Sequence, residues 1–328
     1  MTAEQQDLAV GSGAGRLLES QSNMLRAIKN AAAIGMATVC VISTVAFAQT
    51  SQALPVCPGI PGRVPPHCLR VKPGLGFMLN SQIYLAGLRA IDPELVEYFF
   101  NNPRSCLFTN NYRTNPVPDG WTARGGLKTT SYSSFKSTFQ GNLDPHVSMV
   151  IYDNEKWGNN GQTPHDEQIA PAEYTRLFAQ LAHEIGLRFI ATPSRDLASD
   201  QTDYNGGTLD SYYLATDKYS SPGVNRPFPA WAAAVSDVFE IQAQVHTTDG
   251  SYFSFTRQAV EKAVAANKGI EIIIGLSTNY GDAQDMYNAV MSTYRLPNVN
   301  GYWINLSTTK EDYQEVVNFL RMLRAEGF

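Results

Sequence analysis

From residue 75 onward, short apolar runs alternate with longer stretches of helical period. That rhythm commits the chain to parallel strands joined by helical crossovers. Strands are expected near Gly76–Asn80, Ser105–Thr109, Val147–Asp153, Arg188–Thr192, Val238–Ala243, Glu271–Leu276 and Gly301–Leu306. Helical patterns lie between them, near Pro93–Asn101, Tyr132–Gln140, Pro171–Ile185, Phe253–Asn267, Ala283–Tyr294 and Lys310–Ala325. The sharpest has Pro171 in its first turn, repeats Tyr174, Leu177, Phe178, Leu181 and Ile185 on one face, and stops at Gly186.

An eighth strand hidden in the irregular stretches 109–146 or 197–235 would complete eight in roughly 250 residues, the usual size of a (β/α)8 barrel. The expected fold class is therefore α/β: a single-domain (β/α)8 TIM-type barrel over residues 75–328, irregular or with one strand missing. An open doubly wound sheet is the alternative. It usually advertises a glycine-rich phosphate loop, and no G-x-x-x-x-G-K, G-x-G-x-x-G or G-x-S-x-G follows an expected strand. The polar stretch from Leu197 to Ala230 is too long for a plain connection and reads as a binding loop or lid.

Ahead of the barrel the chain has three parts. Residues 1–23 are a polar extension, with Met24 as an alternative start. Residues 24–48 read as a secretory signal peptide: Arg26 and Lys29 precede an apolar stretch from Ala31 that closes on small residues at Ala46 and Ala48. A retained membrane anchor is the competing reading. Residues 49–74 form a Pro-rich lead-in. A secreted, periplasmic or cell-envelope location follows, with no stable membrane span after cleavage.

Four cysteines, at 40, 57, 68 and 106, show no C-x-x-C spacing, so no structural zinc is expected. Cys57 and Cys68 bracket PVCPGIPGRVPPHC and are the expected disulfide, although Cys106 could replace either partner. The net charge of −5, from 30 acidic and 25 basic residues without a long run of either sign, excludes nucleic acid as the main partner. A monomer without cofactor or metal is expected.

In such a barrel the active site lies at the C-terminal ends of the strands. Those ends present Asn80, Asn110, Asp153, Glu155, Arg195, Asp196, Glu240, Gln242, Gln244, Asn279, Trp303 and Asn305. In VSMVIYDNEKW, four apolar residues and a tyrosine lead into Asp153 and Glu155, whose period of two puts both carboxylates on one side, about 7 Å apart. Neighbouring carboxylates can split their pKa values into an acid and a base, the pairing that glycoside hydrolysis needs. Trp157 would offer a platform for a sugar face.

Three other readings compete: solvated loop acids, ion pairs with Lys156 or Arg195, and a calcium site built from Asp153, Asn154 and Glu155. In DVFEIQAQVH, Glu240, Gln242 and Gln244 share one face, as polar lining of the barrel or as a polar plug. Trp303 shares its face with Asn305 and is either a ring-binding floor or core. His183 lacks the second histidine of H-E-x-x-H and reads as a helix-surface or packing residue. His165 and His246 are single loop residues.

The D-x-E pair at a strand end, the glutamine-bearing later strand and the tryptophan on the last strand resemble the chitinase-like glycoside hydrolases of family 18. The resemblance implies a glycan-active barrel in which Glu155 donates the proton, Asp153 positions the substrate and Trp303 floors the site. The family's upstream acids are replaced by Ser148 and Ile151. The longer series YDNEKW, TPHDEQIAP, AHEIGLRFIATPSRDL, EIQAQ and GYWINLS is similar to secreted bacterial barrel proteins without an assigned reaction, and implies fold and compartment only.

The expected function is a secreted glycoside-hydrolase-like barrel. Glu155 would be its acid/base, and Asp153, Asp196 or Glu240 the partner carboxylate. The ligand would meet Asn80, Asn110, Trp157, Arg195, Gln242, Gln244, Asn279, Trp303 and Asn305. The alternatives are a non-catalytic barrel of the cell envelope binding a glycan or other small polar ligand, and a structural envelope protein.

Overall fold

A computed structural model describes residues 74–139, 143–156, 163–200, 207–215 and 226–328, all within one unit, Leu69–Phe328. The N-terminal extension, the signal-peptide and lead-in assignments, Cys57, Cys68 and Trp157 lie outside the described residues.

Eight parallel strands close into a barrel in sequence order: β1 (Gly76–Asn80), β2 (Cys106–Thr109), β3 (Arg124–Thr129), β4 (Val147–Tyr152), β5 (Arg188–Ala191), β6 (Val238–Ile241), β7 (Glu271–Ser277) and β8 (Val299–Asn305). β1 pairs with β8 through Gly76↔Gly301 and Met78↔Trp303, so no sheet edge is left. The fold is a (β/α)8 barrel, with the strand that the sequence concealed being β3. RGGLKT carries two glycines, two bases and a single branched apolar residue, which hides it from any reading of apolar runs. Packing explains the glycines. A Cβ on Gly126 would lie 2.9 Å from Cys106 Sγ, and one on Gly125 would lie 2.1 Å from the carbonyl oxygen of His146.

Helices surround the barrel: α1 (Ala86–Ile91), α2 (Pro93–Phe100), α3 (Tyr132–Thr138), α4 (His165–Ile169), α5 (Pro171–Glu184), α6 (Leu209–Ala215), α7 (Phe228–Val235), α8 (Tyr252–Ala266), α9 (Ala283–Thr293) and α10 (Lys310–Ala325). Four helices were not expected: α1 and α4, whose six and five residues hold too little of the 3.6 period to declare it, and α6 and α7, which fall in the irregular stretch 197–235. Three of the expected helices start on recognisable caps: Asp92 for α2, an Asp282–Asp285 capping box for α9 and Thr309 for α10. Among the described residues no helix is long and apolar enough to cross a membrane.

Alternation along each strand sends one set of side chains outward and the other inward. Phe178 of α5 is fully buried against Phe135, Tyr152 and Phe189, a contact worth about 1.5–3 kcal/mol for that ring alone. Inside, Arg124 and Arg188 meet Glu271 at 3.1 and 2.8 Å on the N-terminal side of the barrel. Above them lies an apolar filling of Met78, Cys106, Met149, Ile190, Val238 and Ile273, followed by Phe108, Ile151 and Trp303. Cys106 is therefore a core thiol. It is free and 3% exposed, burial pushes it up to about 12, and it does not stand in for Cys57 or Cys68 in a disulfide.

Candidate functional site

A cavity of about 430 Å³ opens at the C-terminal ends of the strands. Asn80, Asn110, Asp153, Glu155, Arg195, Asp196, Gln242, Gln244, Asn279, Trp303 and Asn305 all line it, so eleven of the expected site residues meet in one space. Tyr84, Tyr280, Phe108 and Lys128 complete much of the wall. Lys128 was not among the expected residues. Recognising it requires assigning β3, after which the alternation Arg124, Gly126, Lys128 points it inward.

The strand β4 ends at Tyr152, one residue before Asp153. The ladder is continued by the Asp153 amide, which donates to the Thr129 carbonyl at 2.9 Å. Asp153 is 2% exposed. Its Oδ2 accepts from Lys128 Nζ at 2.5 Å and its Oδ1 from Thr192 Oγ1 at 2.9 Å, with Gln242 Nε2 3.5 Å from Oδ1. The partner is thus Lys128 rather than Lys156 or Arg195. Burial pulls the Lys128 ammonium down, but Asp153 and then Glu155 more than reverse this and hold it above the ordinary lysine range.

Asn154 turns the other way. Its Nδ2 donates to Tyr152 Oη and to the Glu167 carbonyl, both at 3.0 Å. Glu167 is itself buried and structural: it accepts from Ser131 Oγ, Tyr132 N, Ser133 N and Tyr152 Oη at 2.8–3.0 Å, which places a carboxylate on the first turn of α3. With Asn154 facing the helices and Asp153 bound to Lys128, the calcium reading fails. Among the described residues no group of three or more His, Cys, Asp or Glu is placed to hold a metal ion.

Glu240 does not line the cavity. Strand β6 stops at Ile241, and Glu240 is fully buried, sharing the inward face with Val238. Both its carboxylate oxygens lack a hydrogen-bond partner. Burial, then the charges of Asp153 and Glu155, push its carboxyl well above the usual range and favour its protonated form. Gln242 and Gln244 lie past the strand end. Gln242 Nε2 donates to the Thr192 carbonyl at 3.0 Å, and the Gln244 amide fills the place a Cβ on Gly275 would take.

Trp303 meets Phe108 edge to face at 5.5 Å and is 8% exposed, serving as both core and cavity wall. Arg195 forms an ion pair with Asp210 of α6, and its Nη1 lies 3.1 Å from His246 Nε2. His246 Nδ1 lies 2.9 Å from Asp249 and 2.7 Å from Ser251 Oγ. His246 Nε2 also lies 3.0 Å from Asp210, so the imidazole sits against both members of that ion pair, and burial lowers its pKa. His183 is an exposed residue on the surface of α5, the first of its two expected readings, with Nε2 2.9 Å from Asp237.

No protein-family model matches the chain, and no curated protein matches it in sequence. Among solved structures it is similar to a Schiff-base-forming fructose-1,6-bisphosphate aldolase, at 13% identity and a TM-score of 0.39 over 78% of this chain and 95% of that one. A Rhizomucor miehei β-1,3-glucanosyltransferase active-site mutant, solved with laminaritriose, is similar at 10% identity and a TM-score of 0.39, over 72% of this chain and 86% of that one. The glycoside hydrolase family 17 β-1,3-glucanosyltransferase of the same organism gives 13% identity and a TM-score of 0.34, over 62% and 69%.

Proposed function

We propose that the protein is a glycan-processing barrel, exported by its apolar segment 31–48, with Glu155 as general acid/base and Asp196 as the partner carboxylate. One observation carries this reading. Glu155 and Asp196, from the ends of two different strands, border the same cavity as Trp303, Tyr84, Tyr280 and a ring of side-chain amides. Aromatic faces suit the apolar face of a sugar ring, amides suit its hydroxyls, and two carboxylates suit proton transfer to and from a glycosidic oxygen.

A second reading, ligand binding without turnover, is favoured by the state of the other two acids. Asp153 is engaged by Lys128 and Thr192, and Glu240 is fully buried outside the cavity, with its carboxyl pushed well above the usual range by burial. The two readings separate in a reducing-end release assay of the full chain on a polysaccharide panel. Hydrolysis predicts release that falls by about a hundredfold or more in Glu155→Gln and in Asp196→Asn. Saturable binding of an oligosaccharide recovered intact supports the binding reading.

A further inference from the structure

We propose that the cavity is built for an uncharged polyol and that Lys128 is the donor that holds its hydroxyl oxygens; this deepens the glycan reading and rests on it.

Among the described residues, Lys128 and Arg195 are the two cations on the cavity wall. The Lys128 side chain keeps 21% of its exposure while that of Asp153 keeps 3%, so the carboxylate is covered and the ammonium is what a ligand meets. An ammonium carries three donors. The described contacts of Lys128 Nζ use one, on Asp153 Oδ2. Asn80 adds to this bias toward donors: its Oδ1 is occupied by the Ile83 amide at 3.3 Å, so its NH2 is the end left for a ligand.

Each cation of the wall is matched by an acid of the protein in contact with it. Lys128 has Asp153 in contact and Glu155 within electrostatic reach. Arg195 has Asp210 in contact and Asp196 within reach. A ligand carboxylate would compete with two acids at either cation. A ligand ammonium would meet, in Asp153 and Asp210, carboxylates that Lys128 and Arg195 already engage. A hydroxyl meets neither penalty, since its oxygen accepts from Lys128 while its hydrogen donates to a neighbouring acid or amide. Trp303 and Tyr280 on the same wall supply ring faces for the C–H side of the sugar.

The test is calorimetric binding to the full chain, at low and high salt, of three probe sets: neutral gluco-, manno- and xylo-oligosaccharides, oligogalacturonates, and chitosan oligomers. The expected result is a neutral oligosaccharide bound about tenfold or more tighter than either charged class, with little change in salt. Tighter, salt-sensitive binding of oligogalacturonate or chitosan oligomer would overturn the proposal and leave the glycan reading standing. No binding by any probe would overturn both.

Lys128→Gln, shown by circular dichroism to be folded, should lose about tenfold in affinity for the neutral ligand and gain binding of chitosan oligomer, because Asp153 loses its counter-charge. Unchanged affinity would remove Lys128 from the site. Should that variant not fold, the wild-type Lys128 Nζ resonance serves instead: a shift on adding the neutral oligosaccharide supports the contact, and a static resonance under saturation overturns it.

Discussion

Lys128 and Asp153 lie 2.5 Å apart across neighbouring strand ends, one inside the cavity wall and the other almost wholly covered. Their pairing neutralises one of the two carboxylates that follow β4 and leaves Glu155 to the cavity. It also makes Lys128 the side chain on which the charge of the site turns.

Removing one partner should be far costlier than removing both. Lys128→Met leaves a buried, unpaired carboxylate and should destabilise the protein by about 3 kcal/mol. The double variant Lys128→Met/Asp153→Asn should recover most of that loss. Urea unfolding of the wild type, both single variants and the double variant measures the coupling; additive losses would show that the pair contributes nothing as a pair.

Glu240 sets a different pH signature. Its folded pKa is raised well above 4.5 by burial, so its protonated form is favoured in the fold. That contribution is complete below 4.5 and is lost as pH rises toward the folded value, because the unfolded chain ionises first. Glu240→Gln should therefore flatten the decline of the thermal midpoint above pH 5. Glu240→Leu, which removes two buried oxygens without partners, should leave the midpoint unchanged or raise it.

Glu271 works in the opposite direction. Burial pushes its carboxyl up, and the hydrogen bond from Arg188 and the charge of Arg124 more than reverse this, leaving it below the ordinary 4.5. Its contribution is present above 4.5 and is lost as pH falls through the folded value. Glu271→Gln should be less stable than wild type at neutral pH and converge with it in acid. The effect should be modest, since these side chains keep 28–36% of their exposure and solvent screens them.

Gly126 is a packing position. A Cβ there would sit 2.9 Å from Cys106 Sγ and 3.1 Å from Phe108 Cβ. Gly126→Ala should cost about 1–3 kcal/mol, and Cys106→Ala should relieve part of it by removing the sulfur. A melting series of the two single variants and the double variant checks this; an unaffected Gly126→Ala midpoint would mean the barrel interior yields freely at β3.

Much of this architecture is written in local patterns. The apolar runs at 147–152 and 271–277 and the capped helices α2, α9 and α10 announce themselves because each buries one face and ends on a recognisable residue. Parallel strands joined by helices leave few closed arrangements, so the barrel, and the polar residues crowding its strand ends, follow from the same rhythm. β3 does not announce itself. Its glycines were selected by contacts with Cys106, His146 and Phe108, residues distant in sequence, and Lys128 was hidden with it.

What Asp153, Asn154 and Glu240 do was likewise settled only in three dimensions. Burial and partners are properties of neighbours brought together by closing the barrel. The same carboxyl group is an ion-pair partner at Asp153, a buried acid with a raised pKa at Glu240 and a helix cap at Glu167, according to what surrounds it. Periodicity determines which side chains face inward; desolvation and the donors within reach decide their charge.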